Sequence, residues 1–132
     1  DGKETVQVNR ADGLAVSEIK RLGMQQLIIS TEQNPVVSVR ATKLDIDCIQ
    51  GCDNKKNALI KHIQKNNIDI KNVAYVGNDI NDKDVMNIVG ISFCPADAHK
   101  SIKLISNKIL KTNGGKGVIR EILDFLINKK EK

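Results

Sequence analysis

Apolar residues fall into two alternating rhythms along the chain. Short runs rich in apolar residues at 26–30, 46–50, 73–76 and 90–94 read as buried strands. The stretches between them carry a helical period. Leu14, Ile19 and Leu22, with Val16 less regularly placed, give one face that ends at Gly23, a glycine suited to a helix C-terminus. Asn34 followed by Pro35 reads as an N-cap with proline at the first helical position, and predicts a helix to about Leu44. Leu59, Ile60 and Ile63 mark a third helix. Val85, Met86 and Val89 mark a fourth, opened by Asn81 or Asp82 and closed by Gly90. Ile119, Ile122, Leu123, Leu126 and Ile127 mark a last helix after Gly114 and Gly115. Residues 5–9 alternate instead, which predicts half of a β-hairpin.

Strand alternating with helix over short loops predicts a parallel α/β fold, a Rossmann-like sheet with helices on both faces. No internal repeat or linker divides the 132 residues, so one domain is expected, with residues 128–132 a frayed polar tail.

Composition narrows the partners. Aromatic residues are 2% of the chain, so stacking of bases on aromatic platforms is nearly unavailable. The net charge is +5, but the lysines are spread along the chain and no nucleic-acid motif appears. Such a balance suits either an acidic small ligand or a merely solvated surface. Three cysteines, Cys48, Cys52 and Cys94, form no disulfide framework. Cys48 lies in an apolar run, so a buried small hydrophobe is favoured over a metal ligand. No apolar run is long enough to span a membrane, and a cytoplasmic protein is expected.

In parallel α/β sheets, ligands bind beyond the C-terminal ends of the strands. Three such ends carry suggestive chemistry. Ser30 and Thr31 close the first strand, where a hydroxyl and turn amides can hold a phosphate oxygen; ordinary turn chemistry explains them equally. Lys55 stands at the head of a helix, where the dipole disfavours a cation unless it faces an anion, although Lys56 beside it suits a plain solvent position. Asn78, Asp79, Asn81 and Asp82 crowd one turn after a hydrophobic strand. That density of oxygens suits a hard divalent cation such as Mg²⁺; capping alone would explain Asn81 or Asp82.

Five segments, at residues 10–14, 29–35, 77–82, 95–99 and 114–121, occur in order and at matching spacing. Through them the chain resembles the capless haloacid dehalogenase (HAD)-type phosphatases, among them 3-deoxy-D-manno-octulosonate 8-phosphate (KDO 8-phosphate) phosphatase. The wording of residues 30–35 is most similar to the phosphatase-like C-terminal domain of N-acylneuraminate cytidylyltransferases. The resemblance implies hydrolysis of an anionic sugar-acid phosphate. Ser30 would bind the transferring phosphoryl group, and Lys55 would offset its charge. Asn78, Asp79 and Asp82 would hold Mg²⁺, and Thr31, Lys116 and Arg120 would contact substrate. It also implies a homotetramer.

Two departures accompany it. The Asp-x-Asp motif that carries the family's nucleophile on the first, central strand is absent. Asp12 cannot replace it, because no hydrophobic strand precedes it; residues upstream of Asp1 are expected to supply that strand. Asn78 also stands where the family more often has Asp. Both departures favour the alternative of a non-catalytic oligomerisation domain attached to a cytidylyltransferase.

Overall fold

The computed structural model describes residues 10–130. The hairpin expected at residues 5–9 lies outside them. In chain order the elements are α1 (Arg10–Arg21), β1 (Leu27–Ile29), α2 (Pro35–Leu44), β2 (Asp47–Ile49), α3 (Lys55–Lys65), β3 (Ala74–Val76), α4 (Lys83–Met86), β4 (Ile91–Cys94), α5 (Lys100–Ile105), β5 (Lys108–Ile109) and α6 (Val118–Lys130). Single 3₁₀ turns at Ile70–Asn72 and Ile80–Asp82 precede β3 and α4. All strand pairing is parallel, as predicted, and helices alternate with strands.

The strands form two sheets among the described residues rather than one: β1-β2, and β3-β4-β5. The reason lies in the pairing. The described partner of β1 is β2, through Ile28 opposite Cys48, while β3 pairs with β4, through Tyr75 opposite Ser92.

The chain accordingly divides into two compact units: the segment up to Gly51 with that from Gly115 on, and Cys52–Gly114. In the first, α1 packs on α6 through fully or nearly buried Ala15, Ile19 and Leu123, with Met24, Ile119 and Ile127 around them. Helix α2 begins as predicted: the Asn34 side chain accepts from Val36 N, with Pro35 next. Its Val37 and Ala41, one turn apart, form the buried stripe. The helix ends at Asp45, which adopts a left-handed conformation (φ 56°) and donates its N–H to the carbonyls of Ala41 and Thr42.

In the second unit, Met86, Cys94, Ala98 and Ile102 form the core, with Tyr75 and Ile105 against it. Gly90 must be glycine, because a Cβ there would lie 1.9 Å from the Lys71 carbonyl oxygen. Strand β5, which the hydrophobic pattern did not reveal, is anchored by side chains. Asn107 Oδ1 accepts from Ser92 N at 2.7 Å and from Ser92 Oγ at 3.1 Å, and Ser92 Oγ accepts from Asn107 N at 3.0 Å.

Helix α6 runs through Lys130. One expectation needs correction. Cys48 is half-buried in β2 rather than buried; Cys94 is the cysteine that sits in the core. Partial burial still pushes the Cys48 thiol above its ordinary pKa by disfavouring the thiolate. No helix among the described residues is long and apolar enough to cross a membrane.

Leu123 is fully buried in the cluster where α1 packs on α6. Leu123→Ala should cost about 2–5 kcal/mol in urea unfolding. Because the folded Cys48 pKa is raised, its small contribution to stability is present below the unfolded thiol pKa and lost as pH rises through the folded value. Iodoacetamide at mildly alkaline pH should therefore label Cys48 several-fold more slowly in the folded protein than in urea, as read by peptide mass spectrometry.

Candidate active site

In the Cys52–Gly114 unit, the predicted residues gather around one carboxylate. Asp82, at the end of the 3₁₀ turn after β3, is 2% exposed. Its Oδ2 accepts the backbone N–H groups of Asn78 (3.0 Å) and Asp79 (3.3 Å). Its Oδ1 accepts the Lys55 ammonium at 3.0 Å and the Tyr75 hydroxyl at 2.5 Å. A carboxylate offers about four lone-pair sites, and four donors occupy them here.

Lys55 is the first residue of α3 and is 6% exposed, so it is not a solvent lysine. Asn54 caps the helix before it, its side chain accepting from Asn57 N. The ion pair with Asp82 is buried on both sides, a setting in which removing one partner strands a charge.

The turn itself is tightly specified. Asp79 caps it, Oδ1 accepting from Ile80 N at 2.7 Å, in a reciprocal capping box with Asp82. The Asn78 carbonyl accepts the backbone N–H of His99, which ties the turn to the start of α5. Gly77 leaves room for the whole arrangement. A Cβ there would lie 2.6 Å from Asp82 Cβ and 2.8 Å from Met86 Sδ. The side chains of Asn78 and Asp79 are exposed.

No group of three or more His, Cys, Asp or Glu gathers to hold a metal ion among the described residues. Asp82 has no oxygen left without a donor. A divalent cation at this turn would therefore rest on the Asn78 carboxamide and the Asp79 carboxylate, completed by water and ligand oxygens. Mg²⁺ accepts such a set, since it is commonly held by one or two carboxylates with the rest of its shell from water and phosphate.

Ser30, Thr31, Lys116 and Arg120 lie in the other unit. Ser30 is fully buried just after β1, and its Oγ accepts from Glu32 N at 3.0 Å. Glu32 Oε1 in turn accepts from the N–H groups of Gln33 and Asn34. The turn amides that the sequence offered to a phosphate are thus engaged within the turn. Thr31 is half-buried and Lys116 exposed; Arg120 is half-exposed, 3.8 Å from Asp124 on the same helix face. A hollow of roughly 520 Å³ beside α2 is lined by Gln33, Pro35, Ser38, Gln50 and Gly51, none of them charged.

Tyr75 is the site residue that the sequence pattern did not single out. One signal for it existed: it is the only tyrosine in the chain, placed in the strand that leads straight into the acidic turn.

Comparison with known proteins identifies the family. Residues 15–122 match the haloacid dehalogenase-like hydrolase family. The chain belongs to that family. It is 33% identical over 128 residues to the KDO 8-phosphate phosphatase KdsC of Escherichia coli, covering 96% of this chain and 68% of that protein. Among solved structures, it is similar to the KDO 8-phosphate phosphatase of Moraxella catarrhalis, in complex with magnesium ion, phosphate ion and KDO (28% identity, TM-score 0.88, 96% of this chain and 73% of that one). It also resembles the cobalt-bound phosphatase of Haemophilus influenzae (26% identity, TM-score 0.90, 98% and 76%). These relatives bear out the predicted likeness to sugar-acid phosphate phosphatases. The buried Lys55–Asp82 pair lies within the matched residues.

The clearance at Gly77 sets a test of that pair. Gly77→Ala should displace Asp82 and cost about 1–3 kcal/mol in denaturant unfolding. Gly114→Ala, whose Cβ would meet nothing nearer than 3.6 Å, should cost less.

Proposed function

We propose that this HAD-family domain is a Mg²⁺-dependent phosphomonoesterase acting on a sugar-acid phosphate of nonulosonate (sialic-acid-like) or KDO type. We further propose that it works as a homotetramer associated with an N-acylneuraminate cytidylyltransferase. The observation that carries the hydrolytic reading is the buried Lys55 ammonium on Asp82, next to a turn that turns Asn78 and Asp79 outward. A buried cation at the head of a helix is a poor choice for stability and a good one for holding an anion.

In this reading Lys55 binds a phosphoryl oxygen and offsets its charge, and Asp82 keeps the ammonium in place. Asn78 and Asp79 would hold the Mg²⁺, while Asp82 reaches the ion only through the turn it fixes. When bound, the ion would supply electrostatic stabilisation of the phosphoryl oxygens. The assignment of Ser30 and Thr31 to the phosphoryl group, and of Lys116 and Arg120 to the sugar acid, rests on the family resemblance. The net charge of +5 suits a substrate bearing both carboxylate and phosphate. The cytidylyltransferase association rests on the wording of residues 30–35.

A second reading, a non-catalytic assembly domain, is favoured by one observation: Asn78 brings no charge to the turn.

Phosphate release from KDO 8-phosphate and from a nonulosonate phosphate separates the two. The natural full-length protein should hydrolyse at least one of them with Mg²⁺, and chelation should abolish turnover. Lys55→Met should lower kcat by about 10²-fold or more. A folded tetramer that releases no phosphate at any Mg²⁺ concentration selects the assembly domain instead.

A further inference from the structure

One oxygen of Asp82 serves two donors of different kinds. Oδ1 takes the Lys55 ammonium at 3.0 Å and the Tyr75 hydroxyl at 2.5 Å. The hydroxyl takes one lone pair of that oxygen and the ammonium the other, so each donor lowers the electron density left to its neighbour, and the hydroxyl does so without adding charge. Its position is rigidly set. Tyr75 lies in β3 between Ala74 and Val76, its backbone paired opposite Ser92, and its ring packs against the cluster of Met86, Cys94, Ala98 and Ile102. The ring is therefore fixed by the core, and the hydroxyl is carried to the carboxylate by a strand rather than by a loop.

We propose that Tyr75 is the positioning residue of this site: its hydroxyl fixes the Asp82 carboxylate and, by sharing Oδ1, keeps the Lys55 ammonium from being fully neutralised by Asp82, so that it stays available to a phosphate-bearing ligand. The ligand class rests on the phosphatase reading; the effect of Tyr75 on Lys55 does not.

Without the hydroxyl, Oδ1 belongs to Lys55 alone. The pair then closes more tightly, and the ammonium has less field to offer an incoming anion. The ring remains, so core packing is preserved and the change is confined to one oxygen atom.

Tyr75→Phe tests this in the 132-residue protein, with no turnover required. The side-chain ammonium resonance of Lys55 in ¹H–¹⁵N NMR should shift, while those of the exposed lysines stay in place. Inorganic phosphate should bind about tenfold more weakly, the equivalent of one hydrogen bond. An unchanged Lys55 resonance in a folded variant overturns the proposal. Phosphate binding absent from the wild type counts against the phosphatase reading, and the resonance shift then decides the role of Tyr75 on its own. Should the variant fail to fold, the wild type still gives an answer. Tyr75 is the chain's only tyrosine, so its hydroxyl proton is unambiguous. It should exchange slowly and show a nuclear Overhauser contact to the end of the Lys55 side chain. Exchange at the rate of a free phenol overturns the proposal.

Discussion

A carboxylate taken out of water must find its donors inside the protein, or its burial is heavily penalised. Asp82 meets that constraint with two backbone amides, one ammonium and one hydroxyl. Much of the local design follows from it. The amides of Asn78 and Asp79 converge only if the chain turns sharply after β3. That turn brings Asp82 against residue 77, which leaves space for nothing larger than glycine. Lys55 sits at a helix N-terminus, where the dipole opposes a cation, and Asp82 is the group that makes the position tenable. A single anion thus joins α3 to the β3 turn across 27 residues of sequence.

What could be read in advance follows the range of the forces involved. Caps are local, and Asn34-Pro35 placed the start of α2 at the observed residue. The strand runs were found in the right places, each one or two residues longer than the strand that forms. Strand β5 was invisible. Two residues carry no period, and the contacts that hold the strand join Asn107 to Ser92, fifteen residues away. The pairing of β1 with β2, and of β3 with β4 and β4 with β5, is likewise set by contacts between strands far apart in sequence. The burial of Lys55 was half-legible. Lys55, Leu59 and Ile63 are spaced i, i+4, i+8 and are the three buried residues of α3, so the helical period already placed the lysine on the apolar stripe. Lys56, about 100° further round the helix, lies off that stripe and was a poor guide to it.

Ser30 and the acidic turn respond to the same problem in opposite ways. Both are polar chain reversals just beyond a strand, and both must satisfy amides that the strand no longer pairs. After β1, short-range bonds from Ser30 Oγ and Glu32 Oε1 consume the amides of residues 32–34, and the turn is closed upon itself. After β3, a single buried carboxylate takes the amides of residues 78 and 79 from behind, which leaves the side chains of Asn78 and Asp79 facing solvent. From sequence the two turns look equally suited to a ligand. The difference is whether the satisfying group is the turn's own side chain or one held beneath it.

Charge at the second turn then separates an ion from an anion. Asp79 and Asp82 contribute two negative charges and Lys55 one positive, a sum of −1 with Asn78 neutral. An aspartate at position 78 would make it −2. Because Asp82 and Lys55 are buried together, their charges largely cancel at a distance, and the exposed face of the turn is governed by Asp79. One exposed carboxylate attracts a divalent cation more weakly than two, but it also repels a phosphate dianion less. On the proposed phosphatase reading, Asn78 would shift the turn away from holding a metal ion by itself and toward holding one together with a phosphate, whose oxygens would complete the shell and whose charge Lys55 would offset. Metal and ligand binding would then be coupled more strongly than at a turn with two exposed acids. On that reading the neutral residue weakens the site for a metal ion alone and does not by itself abolish it.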